Sequence, residues 1–348
     1  MLGAILGDIV GSVYEFNNTK DYNFEMFTPE SSVTDDSILT VAVAQWAMED
    51  PTYSHAELER YLVSYVKKYP CPQGGYGNGF FGWVFHPEAT CDYVSAIHSG
   101  NEGDTNSELN EDLKQNAADK LKQESNGELK QESNGELKQE SDVVLERKSD
   151  SELERKSKSN PLRRPYNSWG NGSAMRVSSI GWLFDTVEET ERVAGISASI
   201  THNHPEGIKG AQAVAAAIFL ARTGATKEKI KEYIEKKYNY QLTYDREVRH
   251  RTYTWQSSCQ GTVPQAIWAF LESDDFESAL RLAVSLGGDS DTLACITGGI
   301  SEAYYKEIPA DFVKRALRLM PSRLVAVLKD FRQTHYQSYF DSYIAKEF

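Results

Sequence analysis

The chain has 348 residues, 40% hydrophobic and 25% charged, with 37 Lys and Arg against 51 Asp and Glu and a formal net charge of −14. That length suffices for one large domain or two ordinary ones, each with a sizeable core. The acidic balance argues against general nucleic-acid binding, which rests on Lys and Arg at phosphates, and no run of about 18 apolar residues is present to cross a membrane.

The opening stretch, Met1-Leu-Gly-Ala-Ile-Leu-Gly-Asp8, is apolar but lacks the basic region of a secretory leader. The four cysteines, Cys71, Cys91, Cys259 and Cys295, form no CxxC pair, so free thiols and a cytoplasmic location are expected. In Gly7-Asp-Ile-Val-Gly11-Ser-Val-Tyr-Glu15, positions Asp8, Gly11 and Glu15 fall at i, i+3 and i+7 and would share one helix face. Two acids without a base beside Ile, Val and Tyr suit a polar pocket wall; the plain alternative is an exposed acidic edge. Thr34-Asp35-Asp36 stands directly before Ser37–Met48, a long apolar stretch without Gly or Pro that predicts a helix. Gly77-Asn-Gly79-Phe-Phe-Gly82 formally matches GxGxxG, but no strand is predicted before it and no βαβ unit follows. A dinucleotide-binding fold is therefore not expected.

Residues 101–160 contain no Phe, Trp or Tyr and hold 16 acids, 10 bases and only 11 apolar residues. KQESNGEL occurs at 122–129 and again at 130–137, and LERKSDSE is followed by LERKSKS. Such a repeat offers one Leu per copy and cannot build a core. The expectation is a disordered insert over 99–160, grown by duplication, that interrupts a single domain made of 1–98 and 161–348.

After the insert comes Ser168-Trp-Gly170-Asn171-Gly172-Ser173-Ala-Met175-Arg176. Gly, Asn, Gly and Ser at a helix start can present backbone N–H groups to an anion, with Arg176 one turn in. A tight turn capped by Asn171 or Ser173 would use the same residues. Thr201-His202-Asn-His204-Pro205 places two His at i, i+2, which is not the i, i+4 spacing of a helical zinc pair. They can contact a sugar or phosphate, or serve as structural hydrogen-bond partners. Helices are then predicted over Gly207–Arg222, Ala266–Leu271, Phe276–Leu286, Leu293–Tyr305, Pro309–Leu319 and Arg323–Phe331. Alternating apolar and polar runs are scarce, so the class expected is all-α, with loops carrying the chemistry.

Within this series Gly287-Gly-Asp289-Ser-Asp291-Thr292 also precedes an apolar helix. Asp, Ser and Thr are good N-caps, and acids suit the positive end of a helix. A cap needs one oxygen, however, whereas this motif and Thr34-Asp35-Asp36 each supply at least three oxygen-bearing side chains. Four acids and two hydroxyls match the oxygen-only coordination of hard divalent ions, and no His or Cys cluster argues for zinc.

In order, GDxxGxxxE, TDD, YGxG, GNGxAMR, TH and GGDxDT run through 1–85 and 163–306, about two-thirds of the chain. This series resembles the ADP-ribosylglycohydrolase family. The resemblance implies a compact orthogonal helical bundle with a binuclear metal cleft holding two Mg2+ or Mn2+ ions. It implies cleavage of the glycosidic bond that joins ADP-ribose to a modified protein side chain or small acceptor. Thr34, Asp35, Asp36, Asp289, Asp291 and Thr292 then look like metal ligands. Glu15, which resembles the family's mobile glutamate, and Asp36 look like the catalytic carboxylates. Gly77 and Gly79 would lie by the reactive ribose. Gly170, Asn171, Gly172, Ser173, Met175 and Arg176 resemble the loop that holds the diphosphate and adjacent ribose, and His202 resembles a substrate-contacting histidine. The alternatives are a non-catalytic ADP-ribose-binding or structural relative, and a hydrolase of another ribosyl small molecule. No nucleic-acid or membrane partner and no obligate oligomer is expected.

Overall fold

The computed structural model describes residues 1–86 and 163–335. The expected insert at 99–160 and Cys91 lie outside them. The described elements are helices: α1 (Leu2–Gly11), α2 (Asp35–Glu49), α3 (His55–Lys68), α4 (Asn78–Phe85), α5 (Gly172–Met175), α6 (Ile180–Leu183), α7 (Val187–Ser199), α8 (Pro205–Arg222), α9 (Lys227–Tyr238), α10 (Arg246–Thr252), α11 (Cys259–Leu271), α12 (Phe276–Ser285), α13 (Ser290–Tyr305), α14 (Ala310–Leu319) and α15 (Ser322–His335). Among the described residues there is no β-strand, only two isolated bridges, Thr34 with Gln73 and Gly170 with Ser258. The all-α expectation holds, and no strand leads into the Gly77–Gly82 segment, where Gly77 is simply the residue before α4.

The helices begin where the sequence supplies an oxygen. Thr34, Ser54, Thr186, Thr226, Asp245, Ser258 and Asp275 each accept a hydrogen bond from a backbone N–H of the turn they precede. This satisfies donors that the first turn of a helix leaves without a partner. α8 starts at Pro205, whose missing N–H costs nothing there, and His204 Nδ1 accepts from Glu206 N at 3.1 Å. His204 is therefore a cap.

α13 is buried on every side from Ser290 to Ala303. A helix buried on all its faces needs neighbours on every side, and α1, α2, α5, α8, α11 and α12 supply them. α1 lies closest. A Cβ added at Gly3 would stand 2.3 Å from Gly298 O, one at Gly7 1.9 Å from Ala294 O, and one at Gly11 2.5 Å from the Asp291 Cα. Glycines at i, i+4 and i+8 thus let α1 rest backbone-to-backbone on α13. This contact fixes Asp8 of α1 relative to Asp291 of α13.

α1 ends sooner than the sequence pattern suggests. The expected helix face through Asp8, Gly11 and Glu15 is not formed, because the helix stops at Gly11 and Ser12 caps it. Ser12 turns its hydroxyl back to Ile9 O at 2.9 Å, and Tyr14 N closes a turn onto Gly11 O at 2.8 Å. Glu15 is carried by a loop.

Candidate functional site

The acids at the head of α2 and α13 meet beside α1. Oxygens of Asp8, Asp36 and Asp291 lie within 4.8 Å of one another, and so do oxygens of Glu15, Asp289 and Asp291. Asp291 belongs to both groups. Asp35 belongs to neither, although it stands near enough to interact electrostatically with Asp8, Glu15 and Asp289. Asp8, Asp36, Asp289 and Asp291 are buried, while Glu15 and Asp35 are half-buried.

Asp8 organises this cluster. Its Oδ2 accepts from Thr34 N at 3.0 Å, from Ser37 N at 3.1 Å and from the Ser37 hydroxyl, and its Oδ1 accepts from Thr34 Oγ1 at 2.6 Å. An acid on α1 therefore caps α2 from across the fold. Thr34 Oγ1 in turn accepts from Asp36 N at 3.3 Å, so the capping role of this motif is real. The second motif differs. Asp289 precedes α13 but its carboxylate makes no cap; Oδ2 accepts instead from Asn171 Nδ2 at 2.7 Å. Gly287 and Gly288, at φ of 70° and 79°, make the turn that allows it.

Two carboxylate oxygens of this cluster, Asp36 Oδ1 and Glu15 Oε2, are buried without a hydrogen-bond partner among the described residues. Among the described residues no Lys, Arg or His forms an ion pair with any of these six acids. The electrostatic consequence is direct. Burial pushes Asp8 up to about 6 against its hydrogen bonds, and burial with the charges of Asp289 and Asp8 pushes Glu15 up to about 7. Burial and then the neighbouring carboxylates push Asp35, Asp36 and Asp291 well above the usual carboxylate range. Charges so placed need protons or cations. The donors on offer are carboxylate and hydroxyl oxygens, with Thr292 Oγ1 3.3 Å from Asp36 Oδ2. That chemistry fits a hard divalent ion.

The loop carrying Glu15 is pinned to the turn before Asp289 by Asn18. Its Nδ2 donates to Tyr14 O and Glu15 O, both at 2.7 Å, and to Gly288 O at 2.9 Å, and its Oδ1 accepts from Gly288 N at 2.6 Å. Lys20 Nζ adds bonds to His250 O at 2.9 Å, Tyr253 O at 3.1 Å and Leu286 O. Glu15 Oε2 would stand 2.6 Å from a Cβ on Gly74, whose φ is 77°. On the outside, Phe16 and Trp255, 73% and 44% exposed, stack with ring centroids 5.8 Å apart.

The glycine-rich loop before α5 joins this centre through Asn171, which also donates to Thr262 Oγ1 at 3.1 Å. Much of its polar surface is already used. Asn171 N donates to Ser257 O at 2.8 Å, Gly170 N to Ser168 Oγ at 3.1 Å, and the Ser173 hydroxyl to Gly207 O at 2.8 Å. Met175 Sδ lies 3.9 Å from Thr292 Oγ1. Arg176 is fully buried and donates to Ser197 O and Thr201 Oγ1, inward rather than toward the loop. A Cβ on Gly79 would meet Tyr166 at 2.9 Å, and the Tyr166 and His202 rings are 5.9 Å apart. At Gly77 a Cβ would meet no described residue within 4 Å. Gly79, Tyr166, His202 and Gly172 thus form a second cluster beside the acidic one.

Sequence reasoning placed Asp8 with Glu15 on a polar pocket wall but not among the ligands, and it missed Ser37 and Asn18 as parts of this site. The signal for Asp8 was its GD dipeptide next to a glycine stripe; nothing local marked Asn18.

The family profile described as ADP-ribosylglycohydrolase matches residues 1–338. A protein of Archaeoglobus fulgidus is 33% identical over 153 residues, 40% of this chain and 50% of that one. ADP-ribosylhydrolase ARH3 of Mus musculus is 28% identical over 193 residues, 42% of this chain and 52% of its own. ADP-ribosylarginine hydrolase Tri1 of Pseudomonas putida is 26% identical over 159 residues, 42% of each chain. The chain spans about half the length of the curated relatives it matches. A solved chain from an ADP-ribosylglycohydrolase-related protein complex covers 95% of this chain and 96% of its own at a TM-score of 0.49 and 18% identity. With its acidic motifs gathered at one centre and the profile matched over almost its whole length, the chain belongs to the ADP-ribosylglycohydrolase family.

Proposed function

We propose that the chain hydrolyses the glycosidic bond between ADP-ribose and a modified protein side chain or small acceptor, in a reaction that depends on divalent metal. The observation that carries this reading is the set of buried carboxylates with partnerless oxygens at Asp36 and Glu15 in a chain of this family. Two overlapping groups that share Asp291 support a pair of ions rather than one. Asp36, Asp289 and Asp291 would hold them, with Thr34, Asp35 and Thr292 around them and Asp8 beneath. When bound, Mg2+ or Mn2+ supplies Lewis-acid polarisation of substrate oxygens.

The chain's own residues supply the rest. Loss of the acceptor builds positive charge on the ribose, and the leaving group needs a proton. Glu15, on a pinned loop with one oxygen free of protein partners, is suited to hold that proton; Asp36 is its deeper counterpart. Gly77 leaves room for the ribose, Gly79 lets Tyr166 pack close beside it, and Gly170 to Met175 and His202 bind the remainder of ADP-ribose, whose binding energy then positions the scissile bond.

The test is to incubate metal-loaded protein with serine-linked, arginine-linked and acetylated ADP-ribose and to identify products by mass spectrometry. Release of free ADP-ribose from at least one conjugate is expected. Tight binding of ADP-ribose with no turnover of any conjugate would favour a non-catalytic relative.

A further inference from the structure

Arg176 is a fully buried cation with an unusual set of partners. Its Nη2 donates to Ser197 O at 2.8 Å and to Thr201 Oγ1 at 2.9 Å, while Nε and Nη1 are buried without a partner among the described residues. A guanidinium has donors only, so Thr201 Oγ1 receives a hydrogen from it. The same Oγ1 lies 2.7 Å from His202 Nδ1. Thr201 is itself fully buried, so its own O–H needs an acceptor, and leaving it unmade would be costly. Among the described residues the acceptor in reach is Nδ1. That assignment leaves the proton of a neutral imidazole on Nε2.

The opposite nitrogen of the His202 ring faces the glycine loop. A Cβ on Gly172 would stand 3.2 Å from His202 Nε2, and one on Gly170 3.5 Å from it. Glycine at both positions keeps this nitrogen clear of side chains. Burial, and then the charge of Arg176, hold the His202 ring well below the usual histidine range, in accord with a neutral ring.

We propose that Arg176 and Thr201 are positioning residues that fix His202 as the Nε2–H tautomer, so that it offers a neutral N–H donor beside the Gly170–Gly172 loop to a phosphate or sugar oxygen of the ligand. The ligand half of this inference rests on the ADP-ribose reading above; the tautomer half does not. It also gives Arg176 a role that its burial otherwise leaves unexplained: the residue acts through Thr201 and His202 and does not touch the ligand.

The experiment is long-range 1H–15N correlation on the full chain labelled with 15N-histidine, with His202 assigned by its loss in His202→Gln. Calorimetric titration with ADP-ribose runs alongside. The wild-type ring should show the Nε2–H pattern. Thr201→Val should lose that pattern and bind ADP-ribose roughly tenfold more weakly, the worth of one hydrogen bond to a charged acceptor. Thr201→Ser, which restores the hydroxyl, should recover both. An Nδ1–H pattern in the wild-type ring overturns the proposal, as does Thr201→Val with an unchanged pattern and unchanged affinity. If Thr201→Val fails to fold, the wild-type tautomer decides alone. An Nε2–H ring in a wild-type chain that does not bind ADP-ribose supports the relay and refutes the ADP-ribose reading.

Discussion

Replacing Asp291 by Asn should stabilise the metal-free chain and remove its response to metal. Asp291 is the acid shared by both ligand groups, whose oxygens lie within 4.8 Å of one another. Two carboxylates that close repel by about 3–4 kcal/mol at an effective dielectric constant of about 20. Proton uptake already relieves part of this, since burial and the neighbouring acids hold Asp291 well above the usual range. Losing an acid from a helix N-terminus costs about 0.5 kcal/mol in the other direction. The net expectation is a gain of about 1–2 kcal/mol for the metal-free variant, or roughly 2–8 °C in Tm. The Asn side chain keeps the oxygen that accepts from Thr292 N at 2.9 Å, so the helix start is preserved. For the wild-type chain, Mg2+ or Mn2+ at a hundred times its Kd adds about 2.7 kcal/mol, roughly 5–10 °C. Thermal melts of both proteins, each with chelator and with metal, read all four values. A variant that keeps the full metal-induced shift, or whose metal-free form melts well below wild type, refutes the reasoning.

Gly7→Ala should destabilise the fold by about 3 kcal/mol or more, because the new Cβ would meet a backbone oxygen that cannot move cheaply, 1.9 Å away at Ala294 O; urea unfolding measures it, and a wild-type midpoint would show that α1 and α13 can separate freely. Asp50→Ala should cost about 1–2 kcal/mol without affecting ADP-ribose release, since its carboxylate accepts from Thr52 N and Oγ1 and from Ser54 N and Oγ. Burial raises the Asp50 pKa, but those hydrogen bonds outweigh it and hold the group at about 2. Its contribution is therefore full above the unfolded value of about 3.9 and is lost as pH falls through about 2. The gap between wild type and variant in denaturant melts should close over that interval and nowhere higher. Asn18→Ala should lower kcat roughly 10–100-fold, as loss of a side chain that orients a ligand group does, with the melting curve little changed; unaltered kcat would show that the Glu15 loop holds its place without it.

Much of the fold was legible because α2, α8, α12 and α13 are apolar runs between recognisable caps. Of the helices left unread, α3, α7, α9 and α10 carry charged surfaces, while α4 and α6 are short and apolar. α9 buries only Ile230, Ile234 and Tyr238, an i, i+4, i+8 stripe visible on inspection but easily lost among its Lys and Glu. The two acidic motifs were legible because their oxygens are contiguous. What could not be read is set by distant partners. Asp8 owes its place to Thr34 and Ser37, and Asn171 reaches Asp289 118 residues away. Glu15 joins the acids from a loop, not from a helix face, because Asn18 pins it to Gly288. Arg176, expected one turn into an anion-binding helix, turns inward to Thr201, and no local pattern tells an inward arginine from an outward one.

The most direct test of the central claim is release of ADP-ribose from an ADP-ribosylated conjugate while Mg2+ or Mn2+ is titrated back into chelated protein. No release is expected in chelator, recovery is expected with either ion, and none is expected from Asp289→Asn at any metal concentration. Full release in chelator, or from Asp289→Asn, would contradict the claim.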